Sequence, residues 1–259
     1  SSASWREAAV TAGIIVWTIS VLPVALFVRR NPEDLGLKPD GRSEDSTQRQ
    51  FDPASRSEDI SFSTKQVIRL SSFYFLILAY GLVFFITPGL LFHTIPFLSD
   101  QGLTPEAAVT AMAVTSIGAG LGSLAFGFLA ERVNPRYLLA MDILCLGASS
   151  VILLAVRSTL NAVIWGLFMG SAQGGMFTLQ QVILADFYGR RSLGAIRGIV
   201  WTIQMWANAA GPLVAAIAYD MTGSYDRIFI LFGLLSIIST SSILLAKPPV
   251  QVKSETIRS

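Results

Sequence analysis

The chain has 259 residues, of which 52% are hydrophobic and only 14% are charged, and its mean hydropathy is positive. Soluble domains usually carry a larger charged fraction, so this composition predicts a protein that lies in a lipid bilayer. The formal net charge is only +2, and the basic residues lie in loops rather than among stacking aromatics, which argues against a nucleic-acid partner. Cys145 is the only cysteine, which excludes an intramolecular disulfide and a cysteine-based zinc cluster.

Seven apolar stretches have the length needed to cross a hydrocarbon core, which takes about 20 residues of helix. The first ends at Arg29-Arg30 and is too long and wrongly flanked to be a cleaved signal peptide. The sequence therefore predicts an all-α membrane protein with seven transmembrane helices. They are expected near residues 8–28, 71–97, 106–130, 137–156, 161–187, 195–220 and 227–246.

Residues 29–70 separate the first two spans and are rich in Glu, Asp, Ser, Arg, Gln and Pro. Almost no apolar cluster is available there to offset the entropy of ordering, so we interpret the segment as a linker, with a short surface helix expected over 60–69. If the linker is cytoplasmic, 16 of the 19 Lys and Arg residues lie inside. That asymmetry places the N-terminus outside and makes residues 247–259 a cytoplasmic tail.

The third span is rich in glycine and leads into a charged turn. Gly118 and Gly122 lie four residues apart, which leaves one helix face almost bare and lets a neighbouring backbone approach closely. The turn reads Gly127-Phe-Leu-Ala-Glu-Arg-Val-Asn-Pro-Arg136. It resembles the Gly-x-x-x-(Asp/Glu)-Arg-x-x-x-(Arg/Lys) cytoplasmic loop of the major facilitator superfamily, a family of secondary transporters.

Three other stretches resemble the branch of this family that includes monocarboxylate and oxalate–formate transporters. They are residues 31–37, 186–198 and 211–225. The family has two six-span halves joined by a linker. The resemblance implies a fragment with the sixth to twelfth spans of a twelve-span fold, in which residues 1–28 hold the last span of a missing N-terminal half. Residues 71–246 would be the C-terminal half, built from two inverted three-span repeats, 71–156 and 161–246.

Polar side chains inside spans usually face a partner helix or a water-filled cavity. Helical spacing groups them on three faces, which we expect to line a solute path. Two alternatives stay open, because the Thr87 hydroxyl could bond a carbonyl freed by Pro88, and the amides could bond one another across helices. The expected path residues are Tyr80, Thr87, Gln173, Phe177, Gln180, Trp201, Gln204 and Asn208.

Charged residues collect at the inner ends of four consecutive spans, and we name this group the inner collar. Asp142 lies more than a turn inside its helix, where desolvation penalises an unpaired carboxylate, so a cationic or helix-N-terminal partner is expected. The collar is expected to act as a cytoplasmic gate, and the alternative is a set of static pairs. Its members are Glu131, Arg132, Arg136, Asp142, Asp186, Arg190, Arg191 and Arg197.

The sequence favours a multi-pass transporter of the plasma or inner membrane, working by alternating access, over an enzyme. With one His, one Cys and no HExxH or GxSxG motif, the spans offer no catalytic set, and Ile228 to Ala246 lacks the lysine of a retinal photoreceptor. An organic monocarboxylate and a neutral or amphipathic solute both stay open, because residues 106–130 and 201–220 lack the basic residue common in that branch. A proton or counter-solute is the candidate coupling partner, no cofactor is expected, and a transporter-like sensor is the remaining alternative.

Overall fold

The computed structural model describes residues 5–27, 62–189 and 192–249. These residues form helices joined by turns, with no strand among them. The all-α fold expected from the sequence is therefore confirmed for the described part of the chain. The chain divides into two compact units, residues 1–52 and 53–259, which are described separately below.

The first unit contains α1 (Trp5–Val16) and α2 (Leu22–Phe27), joined by a π-helical turn, Trp17–Val21. The N–H of Leu22 donates to the carbonyl of Trp17, five residues earlier, just before Pro23, which has no N–H to donate. The apolar part of this unit, Ala9–Ala25, is shorter than the apolar helices of the second unit. The span expected near 8–28 therefore stays a prediction.

The second unit contains one short helix and six long ones within its described residues. The short helix, α3 (Thr64–Val67), falls inside the surface helix expected over 60–69. Each long helix starts within two residues of an expected span. The long helices are α4 (Ser71–Asp100), α5 (Pro105–Ala130), α6 (Pro135–Leu153), α7 (Thr159–Tyr188), α8 (Leu193–Thr222) and α9 (Asp226–Leu245).

Five of these long helices are apolar enough to cross a membrane by length and composition, and α8 is the exception. Helix α8 is long enough, but Gln204 and Asn208 lie near its middle. Five spans of the expected seven are thus supported, and the full count stays a prediction.

Capping residues explain where several of the long helices begin and end. The side-chain oxygens of Thr104, Asn134 and Ser158 accept hydrogen bonds from backbone N–H groups in the first turns of α5, α6 and α7. Helix α8 ends where Gly223 adopts a positive φ of 68°, a conformation that favours glycine. Local sequence therefore sets the turns that reverse the chain between successive helices.

Three helix pairs dominate the packing of the second unit: α5 with α7, α4 with α8, and α6 with α9. The pairs are related by an exchange of α4 with α7, α5 with α8, and α6 with α9. This exchange converts the pair of α5 and α7 into the pair of α8 and α4, and it leaves the pair of α6 and α9 unchanged. The same exchange relates the contact of α6 with α7 to that of α9 with α4, and these are the next most extensive contacts. The pairing is the one that the two expected three-helix repeats would give.

Glycines bring the backbones of α5 and α7 into contact. A Cβ atom on Gly118 would lie 2.7 Å from the carbonyl oxygen of Leu167, and a Cβ on Gly166 would lie 2.5 Å from that of Ala111. Such distances are too short for any side chain, so only glycine permits this approach. The close backbone contact predicted from the glycine spacing is confirmed. The same contact is continued by Gly122, Gly170 and Gly174.

Serine hydroxyls attach α9 to α4. Ser239 donates to the carbonyl oxygen of Ala79 at 2.9 Å, and Ser242 donates to that of Phe75 at 2.8 Å. Both donors thereby find partners in apolar surroundings. Interhelical hydrogen bonds of this kind contribute about 0.6 kcal/mol on average in membrane proteins, so they supplement close packing.

Gly122→Val should destabilise the bundle, because the new side chain would meet the backbone of Ser171 on α7. Overpacking typically costs about 1–3 kcal/mol, and backbone atoms have little freedom to move aside. Gly120→Val is the matched control, since nothing lies within 4 Å of a Cβ at that position. Thermal unfolding of the purified proteins in detergent should show a lower midpoint for Gly122→Val alone; equal midpoints would contradict the contact.

Candidate functional site

A cavity of about 370 Å³ lies between α7 and α8. This volume falls in the range of small-molecule binding sites. Arg197 lies near the start of α8, and Gln204 lies about two turns further along that helix. The cavity wall therefore runs from a charged end to a neutral polar one. Its lining residues are Gln180, Gln181, Leu184, Arg197, Gly198, Val200, Trp201 and Gln204.

Gln204 is the most buried polar side chain of the cavity wall, with an exposed fraction of 1%. Neither its Nε2 nor its Oε1 atom has a hydrogen-bond partner among the described residues. The Oε1 atom of Gln181 is also buried without such a partner. An unsatisfied buried polar group costs about 1–3 kcal/mol, so these atoms favour a polar molecule that enters the cavity.

An aromatic cluster supports the cavity wall at Trp201. Phe84 of α4 packs edge-to-face against Trp201, with ring centroids 6.0 Å apart, and against Phe177 of α7 at 5.8 Å. Phe84 is buried, whereas 50% of Trp201 and 41% of Phe177 are exposed. One buried ring therefore connects three helices and holds the indole of Trp201 at the wall.

The structure brings part of the expected solute path together. Gln180, Trp201 and Gln204 line one cavity, and Phe177 is connected to them through Phe84. The spacing of polar residues does not identify Phe84 or Gln181. Phe84 lies four residues after Tyr80 on the same helix face, so helical periodicity extended to aromatic residues could have found it.

The other expected path residues do not line this cavity: Tyr80, Thr87, Gln173 and Asn208. Tyr80 and Thr87 are buried in α4, and their hydroxyl groups have no hydrogen-bond partner among the described residues. The Thr87 hydroxyl therefore does not bond a carbonyl freed by Pro88. Gln173 and Asn208 are half-buried.

The inner collar is not a network of ion pairs within the described residues. The guanidinium of Arg132 lies over the ring of Phe128, 4.4 Å from its centroid, and Arg136 donates to the carbonyl oxygen of Leu244 on α9. Arg197 alone among the described collar residues lines the cavity. The described carboxylates of the collar, Glu131, Asp142 and Asp186, form no ion pair with a described side chain. Arg190 and Arg191 lie outside the described residues.

Asp142 is fully buried in α6, and neither of its carboxylate oxygens has a described hydrogen-bond partner. A Cβ atom on Gly175 of α7 would lie 2.7 Å from Oδ1 of Asp142 and 2.5 Å from the ring of Phe126. Gly175 thus makes room for both side chains where three helices meet. The cationic or helix-N-terminal partner expected for Asp142 does not occur among the described residues.

His93 connects α4 with α8 and with the turn before α9. Its Nε2 atom lies 3.0 Å from the carbonyl oxygen of Pro212, and its Nδ1 atom lies 3.1 Å from the hydroxyl of Tyr225. A carbonyl only accepts, so Nε2 donates, and in the neutral ring Nδ1 accepts from the tyrosine. These bonds join α4 to the second half of α8, eight residues beyond Gln204.

Comparison with known proteins identifies a family and several relatives. The sequence model described as Major Facilitator Superfamily matches residues 1–212 and 89–259. Monocarboxylate transporter 12 of Mus musculus is 25% identical over 255 residues, which cover 92% of this chain and 52% of that protein. The probable inorganic phosphate transporter 1-10 of Oryza sativa subsp. japonica is 31% identical over 134 residues, which cover 48% of this chain and 24% of that protein.

A fungal protein is similar over a shorter segment. The inorganic phosphate transporter PHO84 of Saccharomyces cerevisiae is 27% identical over 124 residues, covering 45% of this chain and 21% of that protein. The chain spans about half the length of the first of these three curated relatives, and the alignments with the other two span about a quarter or less.

Asp142→Asn should keep or raise the midpoint of thermal unfolding, because it removes a buried carboxylate that has no described counter-charge. Asp220→Asn makes the same chemical change at an exposed position near the end of α8 and should have little effect. Breaking a buried ion pair costs about 3–5 kcal/mol. A fall in the Asp142→Asn midpoint of that size would therefore reveal a partner and contradict the description of this site.

Proposed function

The chain belongs to the major facilitator superfamily, and we propose that it moves a small solute across a membrane by alternating access, as a secondary active transporter. The observation that carries the proposal is the cavity between α7 and α8, where Gln204 has unpartnered amide atoms. A transport path needs polar groups that the fold leaves unsatisfied, since a solute must form and then release those bonds. The names of the relatives, monocarboxylate and phosphate transporters, support a small solute.

The proposal extends to the arrangement of the chain in the membrane. Residues 71–246 act as a six-helix transporter half, residues 1–28 hold a span of the other half, and residues 29–70 and 247–259 are cytoplasmic. The distribution of Lys and Arg supports this orientation. Labelling of Ser46→Cys by an impermeant maleimide added outside intact cells would contradict it.

The solute path in this proposal centres on Gln180, Trp201 and Gln204, which share the cavity. Tyr80 and Thr87 contribute further unpartnered hydroxyls on α4, and Gln173 and Asn208 extend the path along α7 and α8.

A path of this kind must open to each side of the membrane in turn. The bonds of His93 join α4 to the second half of α8 and support closure there in the described state, while the cavity lies near the start of α8.

The inner collar is proposed to bias the two states of the transporter. Arg136 connects the start of α6 with the end of α9 through the carbonyl of Leu244, so separation of those helix ends would break this bond. A contact that exists in only one state shifts the equilibrium between states. A difference of about 1.4 kcal/mol changes the ratio of the two populations tenfold.

Proteoliposomes that contain the full-length protein, with both of its proposed halves, should take up a radiolabelled small solute, tested with L-lactate, phosphate and benzamide, with and without a proton gradient. Gln204→Ala should raise the half-saturation concentration or lower the rate about tenfold, because it removes a donor and an acceptor together. Thr202→Ala is the control on the same helix, since its hydroxyl bonds the Gly198 carbonyl on an exposed face. In the same assay Arg136→Ala should slow uptake with little change in half-saturation.

Two results would contradict this proposal. If the folded protein with both of its proposed halves takes up none of the three solutes under any gradient, the transport function fails. If Gln204→Ala and Asn208→Ala both show wild-type kinetics, the path does not run along this face of α8.

A further inference from the structure

The Gln204 amide restricts the chemistry of the solute, an inference that rests on the proposed transport function. The side chain is 1% exposed, and both ends of its amide lack partners among the described residues. Since both ends are free, exchanging the positions of the amide oxygen and nitrogen leaves the same set of unpartnered groups. In either orientation Gln204 offers one buried donor group and one buried acceptor.

A ligand that satisfies both ends must itself accept and donate. A carboxylate has only acceptor oxygens, so it could accept from Nε2 but would leave Oε1 facing an anion in a buried place. The Oε1 atom of Gln181 adds a second buried acceptor at the wall. The buried part of this wall therefore disfavours an ionised acid and favours a group that carries N–H.

The charges around the cavity agree with an uncharged ligand. Among the described residues that line the cavity, Arg197 is the only ionisable one, and it is exposed. It lies seven residues before Gln204, which is about 10 Å along the axis of α8. The described lining therefore provides no buried cation to pair with a carboxylate at Gln204.

The wall beside Gln204 suits a flat apolar group. Trp201 lies three residues before Gln204 on the same face of α8, and Phe84 holds its ring edge-to-face. Val200 and Leu184 add aliphatic surface to the lining. An indole face next to an amide is a surface on which a planar ring can lie while its polar substituent bonds the glutamine.

We propose that the cavity binds a small uncharged solute in which a flat apolar group carries an amide or lactam. The carbonyl oxygen of the solute accepts from Nε2 of Gln204, and its N–H donates to Oε1. This pairing satisfies both buried atoms at once, which neither a carboxylate nor a purely apolar solute can do.

Benzamide and benzoate provide the test, because they have nearly the same shape and differ in charge and in the N–H donor. Isothermal titration calorimetry of the purified protein at pH 7 should show benzamide binding at least tenfold more tightly than benzoate. Gln204→Leu keeps a similar volume and removes both polar atoms, so it should weaken benzamide binding at least tenfold. Benzoate should bind Gln204→Leu no more weakly than it binds the wild type, and Thr202→Ala should preserve wild-type affinities for both compounds.

Three outcomes would overturn the inference: no binding of benzamide, tighter binding of benzoate, or unchanged benzamide affinity in Gln204→Leu. Gln204→Met serves as a second isosteric variant if Gln204→Leu does not fold, as judged by circular dichroism and thermal unfolding. Uptake of lactate or phosphate without benzamide binding would overturn this inference and leave the transport function standing. Benzamide binding without uptake of any solute would overturn the transport function and leave this site standing.

Discussion

Contact between glycine-bearing helix backbones is the constraint on which the rest of the bundle depends. Gly118 brings the backbone of α5 against that of α7, and Gly211 brings α8 against the Phe85 carbonyl of α4; Gly147 of α6 makes room for the side chain of Ser236 of α9. Lipid offers no hydrophobic drive for helices to associate, so close packing must supply much of the attraction. Helices α7 and α8 belong to different close pairs and make few contacts with each other, which leaves room between them for the cavity.

The polar groups of the bundle fall into two classes, according to whether the fold itself satisfies them. The hydroxyls of Ser239 and Ser242 find carbonyl partners and fasten α9 to α4. Gln204 and Asp142 are equally buried and find none among the described residues. Unsatisfied buried polar groups destabilise a fold, so a function that uses them is the simplest explanation for their presence. Gln204 borders a cavity and can meet a solute there, whereas Asp142 lies between three helices.

The sequence predicts the helices well and their contacts only in part. Helix positions follow from apolar length and capping residues, which are local properties. The glycine spacing in α5 predicts a close neighbour, but the identity of α7 depends on which glycine faces meet in three dimensions. Helical spacing correctly joins Trp201 with Gln204, whereas Phe84 reaches them from another helix. The charges of the inner collar suggest that its residues form ion pairs with one another. Exposed ion pairs contribute only about 0–1 kcal/mol to stability, so other contacts can replace them.

Thiol protection at Gly198 tests most directly whether the cavity between α7 and α8 holds the solute. Gly198 lines the cavity, and nothing lies within 4 Å of a Cβ there, so cysteine fits; Gly194 has the same freedom outside the lining. Cys145→Ser first removes the only native thiol. Benzamide or L-lactate, whichever the protein takes up, should slow modification of Gly198→Cys by N-ethylmaleimide and leave Gly194→Cys unaffected. Equal modification rates at Gly198→Cys with and without that solute would contradict the account.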